Sequence, residues 1–573
     1  MTHGMRKGLT SYGDPEFSLF LRKAFIKSMG LTDDALSRPL VGIANTFSDY
    51  NSCHGNVPKL LESIKRGVLL AGGLPMEFPT ISIHESFAHP TSMFLRNLMA
   101  MDTEEMIRAQ PMDAVVLIGG CDKTIPAQLM AAASADVPTI LIPVGPMLVG
   151  HYQGEQLGAC TDCRRLWGDF RGGRLSGAEI EAINERLAPT PGTCMVMGTA
   201  STMACVIEAM GLTLPRSASI PATHADRLRC AEATGKQAVI MATSGGPCPT
   251  ALMTVSSFRN AMVVLQALGG STNALIHLTA AAGRCGIKLD LEEFNRLGRE
   301  VPVLVDLKPS GDYYMEHFHW AGAMPRLLHE LSGFLDLDAP TVMGGTLREY
   351  VTGAEMVKGQ TVIRSCSTPI KPRGSMAVLH GNLAPRGAII KQSAASAELM
   401  THTGRAVVFE SVEDLTERID HPDLDVAAGD VLVLRNAGPV GAPGMPEAGY
   451  LPIPRKLATQ GVKDMVRISD ARMSGTAFGT IVLHITPESA VGGPLALVRN
   501  GDQIQLDVPN GRIELLIDPA EFARRLADQG AARPAGAAPA PKRGYAALFH
   551  RCVLQADEGC DFDFLVPGRD ARS

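Results

Sequence analysis

Short apolar runs that end in glycine-rich loops and lead into helical patterns recur along the first two thirds of the chain. Residues 114–120 have the pattern of a buried strand, residues 126–134 have helical composition, and residues 137–144 have the pattern of the next buried strand. Strands that alternate with helices are typical of a parallel sheet with helices on its faces. We therefore predict an α/β domain over residues 1–375.

The pattern changes after residue 375. Short runs of β-type residues follow one another, separated by turns rich in Gly, Pro and Asn. These runs are 405–410, 430–435, 480–485 and 503–508. Their spacing is typical of a barrel or a sandwich. We predict a β-rich, barrel-like domain over residues 376–573, with an exposed linker in the Ala/Pro-rich stretch 529–541.

The composition is typical of a folded chain, and the net charge argues against two classes of partner. Hydrophobic residues make up 45% of the sequence and charged residues 20%, which is enough to form a sizeable core. With 53 Lys and Arg against 59 Asp and Glu, the formal net charge is −6. A mildly acidic chain is a poor partner for nucleic acid or for an anionic membrane. We therefore expect neither of them as the main partner.

We expect neither a secretory signal nor a membrane-spanning segment. No apolar region follows the basic residues near the N-terminus, and the longest apolar stretches are only strand-length. We therefore expect a cytoplasmic protein. Its twelve cysteines are then expected to be reduced, and to act as core residues, metal ligands or nucleophiles.

Three cysteines lie in loops marked by Gly, Asn or Pro, each before a probable helix. They are Cys53, Cys121 and Cys194. A helix N-terminus stabilises a thiolate, and iron and zinc bind thiolates. The alternative is three buried thiols, because cysteines roughly 70 residues apart match no compact ligand motif. Spacing alone leaves both interpretations open.

A Cys-x-x-Cys motif is formed by Cys160 and Cys163. On spacing alone it is a better candidate for zinc binding or redox chemistry than the three isolated cysteines. No second motif of this kind accompanies it, so a structural role is an equal alternative.

Charged residues lie next to these cysteines or in similar loops. Asp122 and Lys123 follow Cys121 at the end of a predicted strand, where open α/β sheets place their ligands. Glu85 follows another strand-like run, and Glu447 lies in a Gly/Pro-rich loop. A soft thiolate beside a hard carboxylate indicates two different metals. Taken singly, each residue also fits a helix cap or a solvated charge.

Ser474 precedes a glycine, which is typical of an exposed hydroxyl on a sharp turn and equally of an ordinary turn residue. Three histidines, His54, His84 and His89, are candidate metal ligands, but a loop histidine is more often a plain hydrogen-bonding group.

Seven segments, taken in order, resemble the family of dihydroxy-acid and sugar-acid dehydratases, and the resemblance covers nearly the whole chain. The segments are 51–56, 119–124, 192–195, 269–273, 381–387, 441–447 and 469–475.

The resemblance implies two metal centres. Cys53, Cys121 and Cys194 match the cysteines that hold an iron–sulfur cluster, of the [2Fe–2S] type in the sugar-acid branch. Three thiolates leave one iron site open to act as a Lewis acid. A neighbouring Mg²⁺ would have four ligands, of which the lysine is carbamylated. By motif these are Glu85, Asp122, Lys123 and Glu447.

The reaction implied by the resemblance is loss of water from a 2,3-dihydroxy acid. Mg²⁺ would hold the carboxylate and the 2-hydroxyl, and the open iron would take the 3-hydroxyl as the leaving group. Ser474, as an alkoxide stabilised by the cations, would remove the C2 proton. The product would be a 2-keto-3-deoxy acid.

Within the family, residues 160–163, 469–472 and 555–564 are most similar to sugar-acid dehydratases, closest to the type that acts on the pentonate L-arabinonate. Two features depart from that type: the segment 316–320, where substrate choice could differ, and the length of 529–541. The resemblance also implies a homodimer or homotetramer.

Two other functions remain as alternatives. One is a dihydroxy-acid dehydratase of branched-chain amino-acid biosynthesis, which should have a more apolar pocket than a sugar-acid enzyme. The other is a non-catalytic iron–sulfur redox or sensor protein. That function explains the cysteines but not the acidic residues in matching motifs.

Overall fold

The computed structural model describes residues 4–9, 12–529 and 539–568. Most of the predicted linker, residues 530–538, therefore lies outside the described residues. Among the described residues, no helix has the length and apolar character that crossing a bilayer requires.

A four-stranded parallel sheet forms the centre of the N-terminal half, as the alternation of strands and helices predicts. Its strands have the spatial order β2-β1-β3-β4. They are β1 (Leu40–Asn45), β2 (Leu74–Pro79), β3 (Ala114–Gly119) and β4 (Thr139–Pro143). A small hairpin of β5 (Gly150–Tyr152) and β6 (Glu155–Leu157) follows. Every residue of β3 and β4 is buried, as expected of strands covered on both faces.

Helices surround this sheet and continue through the helix-rich stretch that precedes the barrel. They are α1 (Pro15–Lys27), α2 (Asp33–Leu36), α3 (Val57–Leu70), α4 (Ser92–Ala109), α5 (Thr124–Ala135), α6 (Thr161–Arg171), α7 (Gly177–Asn184), α8 (Thr199–Ala209), α9 (Ala225–Ser244), α10 (Pro249–Leu252), α11 (Val255–Leu268), α12 (Asn273–Arg284), α13 (Leu291–Glu300), α14 (Met315–Trp320), α15 (Ala323–Glu330) and α16 (Leu347–Thr352).

A closed eight-stranded barrel confirms the β-rich, barrel-like prediction for the C-terminal half. Its order is β10-β11-β12-β8-β7-β14-β13-β9, with β9 pairing with β10 to close it. The strands are β7 (Ala377–Gly381), β8 (Ala384–Ile390), β9 (Thr401–Phe409), β10 (Val431–Leu434), β11 (Arg467–Ser469), β12 (Ile481–Leu483), β13 (Gln503–Asp507) and β14 (Arg512–Leu516). The helices of this half are α17 (Val412–Arg418), α18 (Arg455–Thr459), α19 (Pro519–Gln529) and α20 (Gly544–Cys552).

Strands β9 to β12 run parallel to one another, whereas the other pairs of the barrel are antiparallel except for β14 with β7. Along β10, Val431 and Val433 pack into the barrel interior, and Leu432 and Leu434 pack into an outer apolar cluster. Both faces of this strand are therefore covered, which explains its uninterrupted apolar sequence.

The last described segment returns to the helices of the N-terminal half. Phe549 of α20 packs against Phe94 of α4, with ring centroids 4.8 Å apart. Arg284 of α12 forms a buried ion pair with Asp561 at 2.8 Å. The two halves are thus joined by the C-terminal segment as well as at the site described next. The division at residues 375 and 376 stays a prediction.

Candidate active site

Loops at the carboxyl ends of the parallel strands carry the predicted residues of the N-terminal half. Cys53 lies in a 3-10 turn after β1, Glu85 lies after β2, and Cys121 and Asp122 lie directly after β3. Thr193, the neighbour of Cys194, forms a bridge with Pro146, just after β4. All four strands therefore deliver residues to one edge of the sheet, where such sheets bind their ligands.

The barrel contributes from the loops after two adjacent parallel strands. Glu447 begins a 3-10 turn after β10, and Ser474 lies in the loop between β11 and β12. The end of the barrel faces the edge of the sheet, because Arg472 donates hydrogen bonds to Glu447 and, at 2.9 Å, to Glu85. The site therefore lies between the two halves of the chain.

Four thiols meet at this edge, and we call them the thiol cluster: Cys53, Cys121, Cys160 and Cys194. The sulfur atoms of Cys53 and Cys121 and a ring nitrogen of His84 all lie within 4.8 Å of one another. The sulfur atoms of Cys160 and Cys194 are 3.1 Å apart. Electrostatic interaction with Cys53 links the two pairs. The three predicted thiols come together, and Cys160 joins them.

Crowding makes two of these thiols, those of Cys53 and Cys194, hard to ionise. The contact with Cys121, together with burial, raises the pKa of Cys53 well above its ordinary value. The contact with Cys160, together with burial, does the same to the pKa of Cys194. Neighbouring thiolates repel one another in a buried site, and a bound cation removes that cost.

Three carboxylates lie beside the thiols, and we call them the carboxylate cluster: Glu85, Asp122 and Glu447. One oxygen of each lies within 4.8 Å of the others. Two fully buried cations accompany them, Lys123, which donates to Glu85 at 3.2 Å, and Arg472. The four residues predicted to bind Mg²⁺ are thus brought together, along with an arginine that sequence reasoning did not assign.

The ionisation of the carboxylates reflects their surroundings. Burial raises the pKa of Asp122 and that of Glu447, and the charge of Glu85 adds to the effect. Burial also opposes ionisation of Glu85, but Arg472 and Lys123 outweigh it and hold the pKa of Glu85 below its ordinary value. One carboxylate is firmly ionised and two are costly to ionise, which is the situation that a divalent cation relieves.

Ser474 lies at the end of the barrel with polar groups around its hydroxyl. Its Oγ lies 2.8 Å from Oγ1 of Thr476, whose backbone N–H also points towards it at 3.4 Å. The next residue, Gly475, touches the loop at Ser271, since a Cβ on Gly475 would lie 2.4 Å from the Ser271 Cβ. Buried Lys391 donates to the Gly475 carbonyl at 3.0 Å. The serine loop is therefore tightly fixed.

His54 positions Cys121. Its Nδ1 lies 2.7 Å from the carbonyl of Thr46, and its Nε2 lies 3.1 Å from the backbone N–H of Cys121. Burial lowers the pKa of His54 to about 4, so the ring is neutral. A single tautomer, with the proton on Nδ1, satisfies both contacts. The interpretation of His54 as a hydrogen-bonding group is confirmed.

The residues fit the two metal centres that the resemblance implies. Crowded thiols of high pKa suit a cationic iron–sulfur centre, and three converging carboxylate oxygens suit a hard divalent ion. Lys123 is 0% exposed, and its amine already contacts the carboxylate cluster. A carbamate at that amine would add a fourth oxygen ligand.

Comparison with known proteins decides the family. The N-terminal domain of the dihydroxy-acid/6-phosphogluconate dehydratases matches residues 38–350, and the C-terminal domain of the same group matches residues 361–560. The chain belongs to this dehydratase family. It is a hydro-lyase.

Several relatives are similar over nearly their whole length. An L-arabonate dehydratase of Azospirillum brasilense is 47% identical, over 98% of this chain and 97% of its own. An L-arabinonate dehydratase of Rhizobium leguminosarum bv. trifolii is 45% identical, over 97% and 95%. A dihydroxy-acid dehydratase of Moorella thermoacetica is more distant, at 39% identity over 94% and 97%.

The segment 316–320, which departs from the expected pattern, lies in α14 of this enzyme. Tyr314, immediately before that helix, donates to the carboxylate of Asp162 at 2.9 Å. Asp162 belongs to the turn that carries Cys160. The segment is therefore connected to the edge of the site through a tyrosine rather than through the histidines that make it unusual.

Proposed function

We propose that the enzyme dehydrates an aldonic acid, the pentonate L-arabinonate, to its 2-keto-3-deoxy acid and water. One observation carries this proposal: a serine hydroxyl with two hydrogen-bonding neighbours lies on a loop that also contacts a carboxylate cluster beside a thiol cluster. The names of the relatives at 45% and 47% identity support the choice of substrate.

The thiol cluster and the carboxylate cluster would hold a [2Fe–2S] centre and Mg²⁺. Cys53, Cys121 and Cys194 would bind the iron, and Glu85, Asp122 and Glu447, with carbamylated Lys123, would bind the magnesium. When bound, these groups supply Lewis acidity and lower the pKa of nearby hydroxyl groups and C–H bonds.

Ser474 would act as the base that takes the C2 proton. Its alkoxide needs stabilisation, and the chain supplies two donors, the hydroxyl and the backbone N–H of Thr476. Lys391 and Ser271 hold the loop from behind through Gly475, so that Oγ keeps its position as the proton moves. Donors of this kind favour the ionised form of the hydroxyl, so they lower its pKa and increase the fraction of serine that is ready to take the proton.

Arg472 would hold the two halves of the site together. Its guanidinium links Glu85, from the sheet edge, to Glu447, from the barrel, while its own backbone leads to Ser474 two residues later. Placement of the carboxylates is thereby tied to placement of the base. An arginine is suited to bridging two carboxylates because its donors form a rigid planar fork.

A substrate panel tests the proposal. Purified enzyme, reconstituted with iron, sulfide and Mg²⁺, is incubated with C5 and C6 aldonic acids and with a branched-chain 2,3-dihydroxy acid, and the 2-keto product is measured. We expect the highest kcat/KM with L-arabinonate. Preference for the branched-chain acid would replace the proposal by dihydroxy-acid dehydratase activity. A cluster spectrum with no dehydration of any substrate would favour the redox or sensor protein.

We further propose that the enzyme works as a homodimer or homotetramer in the cytoplasm. Helix α1 and the turn after it expose several large apolar side chains, among them Phe20, Phe25 and Met29, which are 66%, 74% and 77% exposed. Exposed apolar groups in close succession favour burial against another chain. Light scattering of the purified protein tests this, and a monomeric mass would contradict it.

A further inference from the structure

Cys160 has no role in the proposed chemistry, yet its sulfur lies 3.1 Å from that of Cys194. The two buried members of the thiol cluster, Cys53 and Cys121, are 5% and 3% exposed. Cys160 and Cys194 are both partly exposed. The thiol cluster therefore has an inner pair, shielded from solvent, and an outer pair of intermediate exposure.

The backbone at Cys160 is strained in a way that serves this contact. Its φ is +79°, a left-handed conformation that residues other than glycine adopt only at a cost. Glycine would remove that strain, but it would also remove the thiol.

Neighbouring groups hold the turn in place. The backbone N–H of Gly158 donates to Asp162 at 2.7 Å, and Lys308 donates to the same carboxylate at 3.1 Å. Thr161 donates to the carbonyl of Thr476, in the serine loop, at 3.0 Å. Cys160 thus faces Cys194 because the sheet edge, the helix-rich stretch and the barrel together fix its turn.

We propose that Cys160 and Cys194 form a reversible disulfide in the cluster-free chain, which withholds one iron ligand until the bond is reduced. The assignment of Cys194 as an iron ligand rests on the proposed function, whereas formation of the disulfide does not. The sulfur atoms need to approach by only about 1 Å to reach bonding distance.

The oxidant would be a small-molecule disulfide such as oxidised glutathione. One of the two cysteines, as a thiolate, attacks that disulfide, forms a mixed disulfide and releases one glutathione thiol. The thiolate of the other then attacks the protein sulfur and releases the second glutathione. Two protein thiols are oxidised, one small disulfide is reduced to two thiols, and the two protons pass to solvent or to the released thiolates.

The first experiment uses the full chain, stripped of iron by a chelator under reducing conditions and then exposed to oxidised glutathione. Intact mass and peptide mapping after alkylation should show loss of two hydrogens and a cross-link between the peptides of Cys160 and Cys194. The variant Cys160→Ser should instead carry glutathione on Cys194. The matched control Cys163→Ser, in the same motif, should still form the cross-link.

Iron uptake gives the second measurement. Oxidised wild-type chain should take up less than a tenth of the iron that the reduced chain takes up, and a dithiol reductant should restore uptake. Reduced Cys160→Ser should bind as much iron as reduced wild type. A cross-link between other cysteines, or no cross-link, would overturn the inference even if iron binds normally. Loss of iron from reduced Cys160→Ser would also overturn it, because Cys160 would then be a cluster ligand.

If the cross-link forms but neither reduced chain binds iron, the proposed function fails instead. The disulfide itself would stand in that case, and only its consequence for cluster assembly would be lost. The two sets of measurements therefore separate the inference from the function on which its consequence depends.

Discussion

All four sulfur atoms of the thiol cluster come from loops of the N-terminal half, whereas the carboxylate cluster takes Glu447 from the barrel. The sulfur atoms therefore all belong to one half of the chain, although a carbonyl of the barrel half, that of Thr476, accepts a hydrogen bond from the turn of Cys160. The carboxylates need both halves in register, and Arg472 is the side chain that links them. The same edge of one sheet thus carries a thiol cluster whose residues come from one half and a carboxylate cluster whose geometry depends on how the two halves are docked.

The two clusters also differ in how the charges of their side chains are balanced. Glu85 is paired with Lys123 and Arg472, so the charge of this one carboxylate is balanced within the chain. The thiols of Cys53 and Cys194 stay protonated by crowding and burial. Thiol protons must leave when iron binds, whereas the charge of Glu85 already has a partner in Arg472. The comparison predicts that each centre can be emptied while the other stays intact.

The largest effect is expected from Cys121→Ser. Loss of one inner thiolate should remove iron and sulfide, which we expect at about two each per chain in the wild type. The brown colour and all turnover should disappear, as measured by metal analysis, visible spectra and product formation. Cys205→Ser is the matched control, since Cys205 is equally buried but lies within α8. Loss of iron from that control, or its retention in Cys121→Ser, would contradict the ligand assignment.

Glu447→Gln should abolish turnover and leave the visible spectrum of the cluster unchanged. The amide keeps the shape of the side chain but removes the charge that a hard divalent ion requires. Removal of Mg²⁺ by a chelator should have the same effect on the wild type and be reversed by added Mg²⁺. Glu398→Gln, at an exposed position of the barrel half, is the control. Full activity after exhaustive removal of divalent ions would disprove the magnesium site.

Ser474→Ala should lower kcat at least ~100-fold, the low end of what loss of a general base costs. Iron, Mg²⁺ and most of the substrate affinity should remain, and exchange of the C2 proton with solvent deuterium should stop. Thr476→Val removes one of the two donors to Ser474 and should cost about tenfold, the effect of one hydrogen bond of about 1.4 kcal/mol. A Ser474→Ala enzyme with both metals and near-normal kcat would show that Ser474 is only a turn residue and not the base.

Local patterns predicted the elements that depend on local sequence. The continuous apolar run at 114–120 corresponds to β3, because a strand covered on both faces needs no polar alternation. The candidate cysteines and acidic residues were singled out because their loops match motifs of the dehydratase family, and their roles stay predictions. Arg472 was missed, since its role depends on Glu85, 387 positions earlier in the chain. The contact between Cys160 and Cys194 was missed for the same reason: nothing in a Cys-x-x-Cys spacing indicates a partner outside the motif.

The barrel half also contains a buried lysine, Lys391, whose surroundings differ from those of Lys123 and Arg472. Lys123 and Arg472 are buried cations with carboxylate partners, whereas the hydrogen bond that Lys391 makes within the described part of the chain goes to the carbonyl of Gly475. Burial lowers the pKa of Lys391 from 10.5 to about 7. A buried amine without a counter-ion is more easily kept neutral than charged.

Lys391 should therefore make folding stability rise with pH, whereas a lysine paired with a carboxylate makes it fall. Between about pH 7 and pH 10 the unfolded chain holds a proton on Lys391 that the folded chain has released. Unfolding takes up that proton, so stability rises with pH across this window, by up to about 1.4 kcal/mol per pH unit from this group. Denaturant unfolding of wild type and Lys391→Met at several pH values measures the difference. The variant should lose this upward slope, and its kcat should fall modestly because the serine loop loses a support. Identical slopes would mean that Lys391 stays charged in the folded protein. A group other than the Gly475 carbonyl would then have to stabilise that charge.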